Sequence, residues 1–206
     1  MTPLRTVRIA LWAAVAMAAV AVLLIVVRPF GFDPFGRDGA PALLASSIGG
    51  PFTLTDQNGA TVTDASLKGH PTAMFFGYTY CPDVCPTTLS DMSLWLEQLG
   101  ADGDRLKVYF VTVDPARDTQ EQMATYLEAF DPRISGLTGT QAEVDAMLQE
   151  YRVYSRKVDG ADPAYYTMDH TASVYLLDAE GRFVGTVDYQ ENPETAFAKL
   201  KRLVGA

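Results

Sequence analysis

The first pattern in the chain is an uninterrupted one. From Ile9 to Val27 the sequence IALWAAVAMAAVAVLLIVV carries no charge. As a helix, nineteen residues at about 1.5 Å each span roughly 28 Å, close to the hydrocarbon thickness of a bilayer. Arg5 and Arg8 precede the run, Arg28 follows it, and VRPFGF offers no small-residue cleavage site. The segment predicts an uncleaved membrane anchor over 9–27, with residues 1–8 on the cytoplasmic side and the body of the chain outside. Residues 28–46 are rich in Gly and Pro without a period and predict a tether. Residues 47–206 form the expected folded domain.

Within that domain the period alternates between strand and helix. FTLTDQNGATVTD alternates apolar and polar positions around Asn58-Gly59 and predicts a hairpin. PTAMFFGY and LKVYFVTVD are short apolar runs that predict strands buried on both faces. Between them, TTLSDMSLWLEQLG places Leu89, Met92, Leu96 and Leu99 at helical spacing and stops at Gly100. RDTQEQMATYLEAF predicts a second helix opened by Asp118 with Glu121, and Thr140 with Glu143 marks a capping box ahead of QAEVDAMLQEY. RISGLTG predicts a short strand or turn. YRVYSRKV and ASVYLLD predict strands separated by the loop DGADPAYYTMDHT; DAEG then turns the chain into RFVGTVDY. Asn192-Pro193 opens a final amphipathic helix through Leu203. Strands alternating with helices, then a hairpin and a last helix, predict an α/β domain of three layers with a mixed sheet. The order βαβ…ββα is the thioredoxin-like arrangement, with the N-terminal hairpin and the 106–130 unit as additions.

Charge narrows the function. Beyond Arg28 the chain holds thirteen basic against twenty-five acidic residues, a net of −12. Such a surface repels phosphate backbones, so no nucleic-acid partner is expected. Two cysteines are too few to staple a domain of this size.

Those two, Cys81 and Cys85, lie in GYTYCPDVCPTTL at a strand–helix junction. Spacing i to i+4 brings both sulfurs to one face if the turn is helical, and a helix N-terminus favours thiolate. Three intervening residues depart from the usual C-x-x-C redox spacing, and no second pair completes a structural zinc site. Two thiolates with one imidazole form a soft, low-coordinate set that suits copper, Cu(I) above all. Only His70 and His170 can supply the imidazole. His70, in a turn before Pro71, reads as an exposed loop histidine. His170, ahead of a predicted strand, fits a ligand and a satisfied loop histidine equally well. Asp83, inside the cysteine loop, can tune thiolate charge or sit solvated, and Asp169 can orient the His170 ring. Asp114 and Pro115 read as a turn. Met92, Met123 and Met147 fall on apolar helix faces and read as core.

Three stretches, GYTYCPDVCPTTL, VYFVTVDPARDT and YTMDHTASVYLLD, occur in this order behind the N-terminal apolar run. Together they resemble the Sco (SenC-type) copper-binding assembly proteins of respiratory oxidases, over residues 47 to 204. The resemblance implies that Cys81, Cys85 and His170 bind one copper ion per chain. It further implies a metallochaperone, with no catalytic turnover required, that receives copper from a donor protein and serves the binuclear copper site of cytochrome c oxidase subunit II. The same dithiol permits a rival role, a thiol–disulfide oxidoreductase acting on the subunit's cysteines before metallation. A peroxide-reducing role fits the Tyr-x-Cys-Pro junction only superficially. The leader lacks an organelle transit composition, so the expected location is a bacterial inner membrane with the domain facing the periplasm.

Overall fold

The computed structural model describes residues 12–13, 15–17, 48–160 and 165–205. Residues 12–13 and 15–17 are helical; the remainder of the expected 9–27 anchor, and the tether, lie outside the described residues. Among the described residues no helix is long and apolar enough to cross a membrane. The chain divides into two units, Met1–Ala42 and Leu43–Ala206, and the second carries the fold.

That fold opens with the expected hairpin, β1 (Thr53–Asp56) and β2 (Thr61–Thr63), paired antiparallel. Its turn is held by Asp56, whose carboxylate accepts from the N–H groups of Asn58 and Ala60 at 2.8 Å each. A four-residue helix α1 (Asp64–Leu67) leads to β3 (Thr72–Gly77), all six residues of which are buried. The long helix α2 (Val84–Leu99) buries Leu89, Met92, Leu96 and Leu99, the positions whose spacing predicted it, and stops at Gly100 with φ +55°. After a 3-10 turn (Gly100–Arg105) come β4 (Lys107–Thr112), α3 (Gln120–Leu127) and β5 (Ile134–Thr138). Helix α4 (Gln141–Glu150) follows, its capping box formed as expected by Thr140 and Glu143. Strands β6 (Ser155–Asp159), β7 (Tyr166–His170), β8 (Val174–Leu177) and β9 (Phe183–Val187) precede α5 (Pro193–Val204), capped by Asn192.

Seven strands form one mixed sheet in the order β2-β1-β5-β4-β3-β8-β9, parallel across β5-β4-β3 and antiparallel outward. Period-two alternation assigns the two faces. Phe75, Phe110 and Gly136 lie in register on one face, where Cys85 of α2 and Met123 and Leu127 of α3 cover them. On the other face Phe76 meets Tyr151, which ends α4 and in turn meets Phe52. Helices on both faces give the three layers of a thioredoxin-like domain. Met92, Met123 and Met147 are buried core residues, as expected.

RISGLTG takes the strand alternative of the two expected, because β5 finds partners on both sides in β4 and β1. Two expectations change. Part of the stretch expected as a loop, DGADPAYYTMDHT, is strand: β7 pairs antiparallel with β6 in a separate two-stranded sheet. Only one side of that hairpin is covered, so its apolar signal is too thin to register. Asp118 does not cap α3; Thr119 does, accepting from Gln122 N–H, and the Asp118 side chain is fully buried elsewhere.

Candidate metal centre

The buried strand β3 ends at Gly77 because the chain must leave the sheet beneath α2, and Tyr78, Thr79 and Tyr80 carry it to Cys81. A turn closes there, Cys81 N–H donating to the Tyr78 carbonyl at 3.2 Å. Cys85 lies in the first turn of α2, and Pro86 follows where a helix has no use for the N–H that proline lacks. The Cys85 N–H points at Cys81 Sγ, 3.4 Å away. The segment before the cysteines is pinned by Asp118. Its carboxylate accepts from Thr79 N–H at 3.2 Å, Thr79 Oγ1 at 2.7 Å and Thr112 Oγ1 at 2.6 Å. Its own carbonyl accepts from Thr138 Oγ1 at 2.7 Å. Burial raises the Asp118 pKa, and the Thr112 and Thr79 bonds oppose that rise. One buried residue thus gathers the ends of three strands, two through its carboxylate and one through its carbonyl.

His170 reaches the site from the far end of the chain, as the last residue of β7. Its Nε2 lies 3.5 Å from Cys85 Sγ, and its Nδ1 lies 2.9 Å from the Thr171 carbonyl oxygen. A carbonyl can only accept, so Nδ1 carries a proton, and Nε2 is the ring nitrogen that faces the sulfurs. Phe75 and Tyr78 flank the ring edge-on at 6.1 and 5.8 Å. The two Sγ atoms and one ring nitrogen lie within 4.8 Å of one another.

The two thiols, both free, differ in environment. Cys85 is fully buried and Cys81 only partly. Cys81 is driven far below the ordinary thiol range, first by a hydrogen bond from the Cys85 thiol, against the opposing cost of burial. His170 and the backbone N–H groups of Asp83 and Cys85 add to the lowering. Cys85 moves the other way, because it shares its proton with Cys81 and is buried. The direction of both shifts favours the thiolate at the partly buried Cys81, with the buried Cys85 as its proton donor. The same set of donors, two sulfurs and one imidazole nitrogen, matches a soft cation of low coordination number.

The remaining candidates fall as follows. His70 is exposed at the opposite end of β3, about 20 Å of strand away at roughly 3.3 Å per residue. Asp83 contributes through its backbone N–H, while its carboxylate is exposed. Asp169 does not reach the His170 ring: strand alternation turns it outward to Arg156, 2.8 Å away, and the Thr171 carbonyl orients the ring instead. Asp114, expected as a turn residue, is buried and bonded to Arg117 and Tyr166. Arg117 and Thr171 were not singled out from composition or period, and Asp118 and Asp114 were read only as a helix cap and a turn. The signal that could have found Asp118 is the threonines Thr79, Thr112 and Thr138, polar residues at the ends of otherwise apolar strands.

The SCO1/SenC family model matches residues 40–205. The protein SenC of Rhodobacter capsulatus is 36% identical over 189 residues, which is 87% of this chain and 85% of that one. The mitochondrial protein SCO2 of Saccharomyces cerevisiae is 36% identical over 163 residues, 78% of this chain but 54% of the yeast protein. The chain therefore spans about half the length of that relative. Among solved structures, copper-bound ScoI of Bradyrhizobium japonicum superposes with a TM-score of 0.71 at 54% identity, covering 76% of this chain and 99% of that one.

Proposed function

The chain belongs to the SCO1/SenC family, and on that premise we propose that it is a copper metallochaperone binding one copper ion through Cys81, Cys85 and His170. The observation that carries the reading is the convergence of two sulfurs and an imidazole nitrogen within 4.8 Å from segments 85 residues apart. Copper suits this donor set because thiolate is a soft ligand and imidazole is compatible with copper, and three ligands leave room for an incoming sulfur. Release then proceeds by ligand exchange. Cys81, the more exposed of the two thiols, is the ligand an acceptor thiol meets first, while Cys85 and His170 still hold the ion. The proposed acceptor is the binuclear copper site of cytochrome c oxidase subunit II, supplied through a separate copper donor protein. The proposed setting is a bacterial inner membrane, with an anchor at 9–27, a tether at 28–46 and the domain 47–206 in the periplasm.

A second reading is favoured by the asymmetry of the thiols. An activated, accessible Cys81 beside a buried Cys85 is the arrangement a thiol–disulfide oxidoreductase requires. Cys81 would attack a target disulfide, and Cys85 would displace the target thiol from the mixed disulfide, leaving the Cys81–Cys85 disulfide and a reduced target. The two readings separate at His170, which metal retention needs and disulfide exchange does not.

The test is copper titration of the reduced, detergent-solubilised full chain against a competing chelator, with metal counted per chain. The expected result is one copper in the wild type, and none retained in His170→Ala or in the double variant Cys81→Ala/Cys85→Ala. If His170→Ala holds copper as tightly as the wild type, the three-ligand site is wrong.

A further inference from the structure

The hairpin that delivers His170 is not part of the main sheet. Something else must hold it over the cysteines, and the side chains at its outer end identify what does. Tyr166, the first residue of β7, donates its hydroxyl to Asp114 Oδ1 at 2.9 Å, and its carbonyl accepts from Arg117 Nη1 at 3.0 Å. Arg117 Nε donates to the other oxygen of Asp114. The guanidinium lies 3.6 Å from the Tyr166 ring centroid, and 4.9 and 5.6 Å from those of Tyr80 and Tyr78. Tyr80 adjoins Cys81 in the chain, and Tyr78 packs edge-on against His170. Arg117 therefore touches the cysteine loop and the histidine hairpin at once. It is held by a buried carboxylate, Asp114, that follows β4.

The cost of this arrangement argues that it has a purpose. Most of the Arg117 side chain is removed from water, with a side-chain exposure of 20%, and its Nη2 has no hydrogen-bond partner. Lysine could not replace it, since only a planar fork can bond Asp114 and a carbonyl while stacking on a ring. By contrast, Arg156, on the same hairpin, meets Asp169 in an exposed pair within the hairpin itself.

We propose that Arg117 is a positioning residue: with Asp114 and Tyr166 it latches the β6–β7 hairpin to the sheet and so fixes His170 over Cys81 and Cys85. The inference builds on the copper reading for its consequence, but the latch itself is a property of the metal-free chain.

The test compares the full chain with Arg117→Met, Tyr166→Phe and Arg156→Met, first without metal. Amide exchange of 155–159 and 166–170 is followed by NMR, together with the through-space contacts between the His170 and Tyr78 rings. Loss of a hydrogen-bonded, stacked cation should speed hairpin exchange on the order of 10- to 100-fold in Arg117→Met. The β3 and β4 amides should be unaffected, and the His170–Tyr78 contacts should weaken. Tyr166→Phe, which removes one hydroxyl, should show a smaller change of the same kind, and Arg156→Met none. Should Arg117→Met disturb β3 and β4 as well, Tyr166→Phe decides alone. Copper competition is then run on the same proteins, and retention should fall in the order of hairpin loosening. Unchanged exchange and ring contacts in Tyr166→Phe and Arg117→Met would overturn the latch, as would equal loosening by Arg156→Met. Failure of the wild type to bind copper would instead refute the function proposed above and leave the exchange result to judge the latch.

Discussion

Gly77 ends the buried strand that leads to the cysteines, and a methyl group added there has nowhere to go. The new Cβ would lie 2.7 Å from Cys85 Sγ, 2.7 Å from Phe110 Cε2 and 3.2 Å from Phe75 Cε1. Ordinary contacts between such atoms are about 3.5–4.0 Å, so the sulfur and the Phe110 ring must each retreat by roughly 1 Å. Phe110 is fully buried and stacked on Phe75 at 6.1 Å, and Cys85 rides on the first turn of α2. Neither is the free end of a flexible chain. Overpacking of this kind costs about 1–3 kcal/mol, offset by about 0.4–1 kcal/mol from the stiffer unfolded chain, so Gly77→Ala should lose about 1–2 kcal/mol. Urea denaturation of the reduced, metal-free protein measures it. Gly136→Ala is the control: its Cβ would meet the ends of Leu127 and Met123 at 2.8 Å, on β5, two strands from β3. Both variants should lose stability, but only Gly77→Ala should expose Cys85 to alkylation under native conditions. A Gly77→Ala protein within 0.5 kcal/mol of the wild type on the overpacking scale, with Cys85 still protected, would refute the packing argument.

Two further outcomes follow from the site and its supports. Cys81 is held as thiolate well below the ordinary thiol range, so its alkylation rate in the metal-free protein should be nearly flat from pH 6 to 8. An unperturbed thiol would accelerate about tenfold per pH unit there; mass spectrometry should place the label on Cys81 first, and a tenfold-per-unit slope would contradict the assignment. Away from the site, Thr140→Ala removes the acceptor for Glu143 N–H at the start of α4. It should cost about 1 kcal/mol in the same denaturation assay without altering thiol reactivity.

Much of the domain was legible along the chain because its signals are local. The buried runs at 72–77 and 107–112, the helical spacing of Leu89 through Leu99, the Asn58-Gly59 turn and the caps at Thr140 and Asn192 each lie within a few residues. The cysteines at a strand–helix junction were equally visible. The choice of His170 over His70 came from the family resemblance and not from local pattern, because nothing local reports that one stands beyond the far end of β3 while the other returns across 85 residues to Cys85. Strand β7 escaped notice because a hairpin covered on one side alternates only weakly. Asp114, Arg117 and Asp118 form a short polar string after an apolar strand, which by itself reads as a turn and a cap. Tertiary structure made them a latch and a pin: a carboxylate inside the protein stays only where donors from other elements meet it, and chain proximity does not reveal which donors those will be.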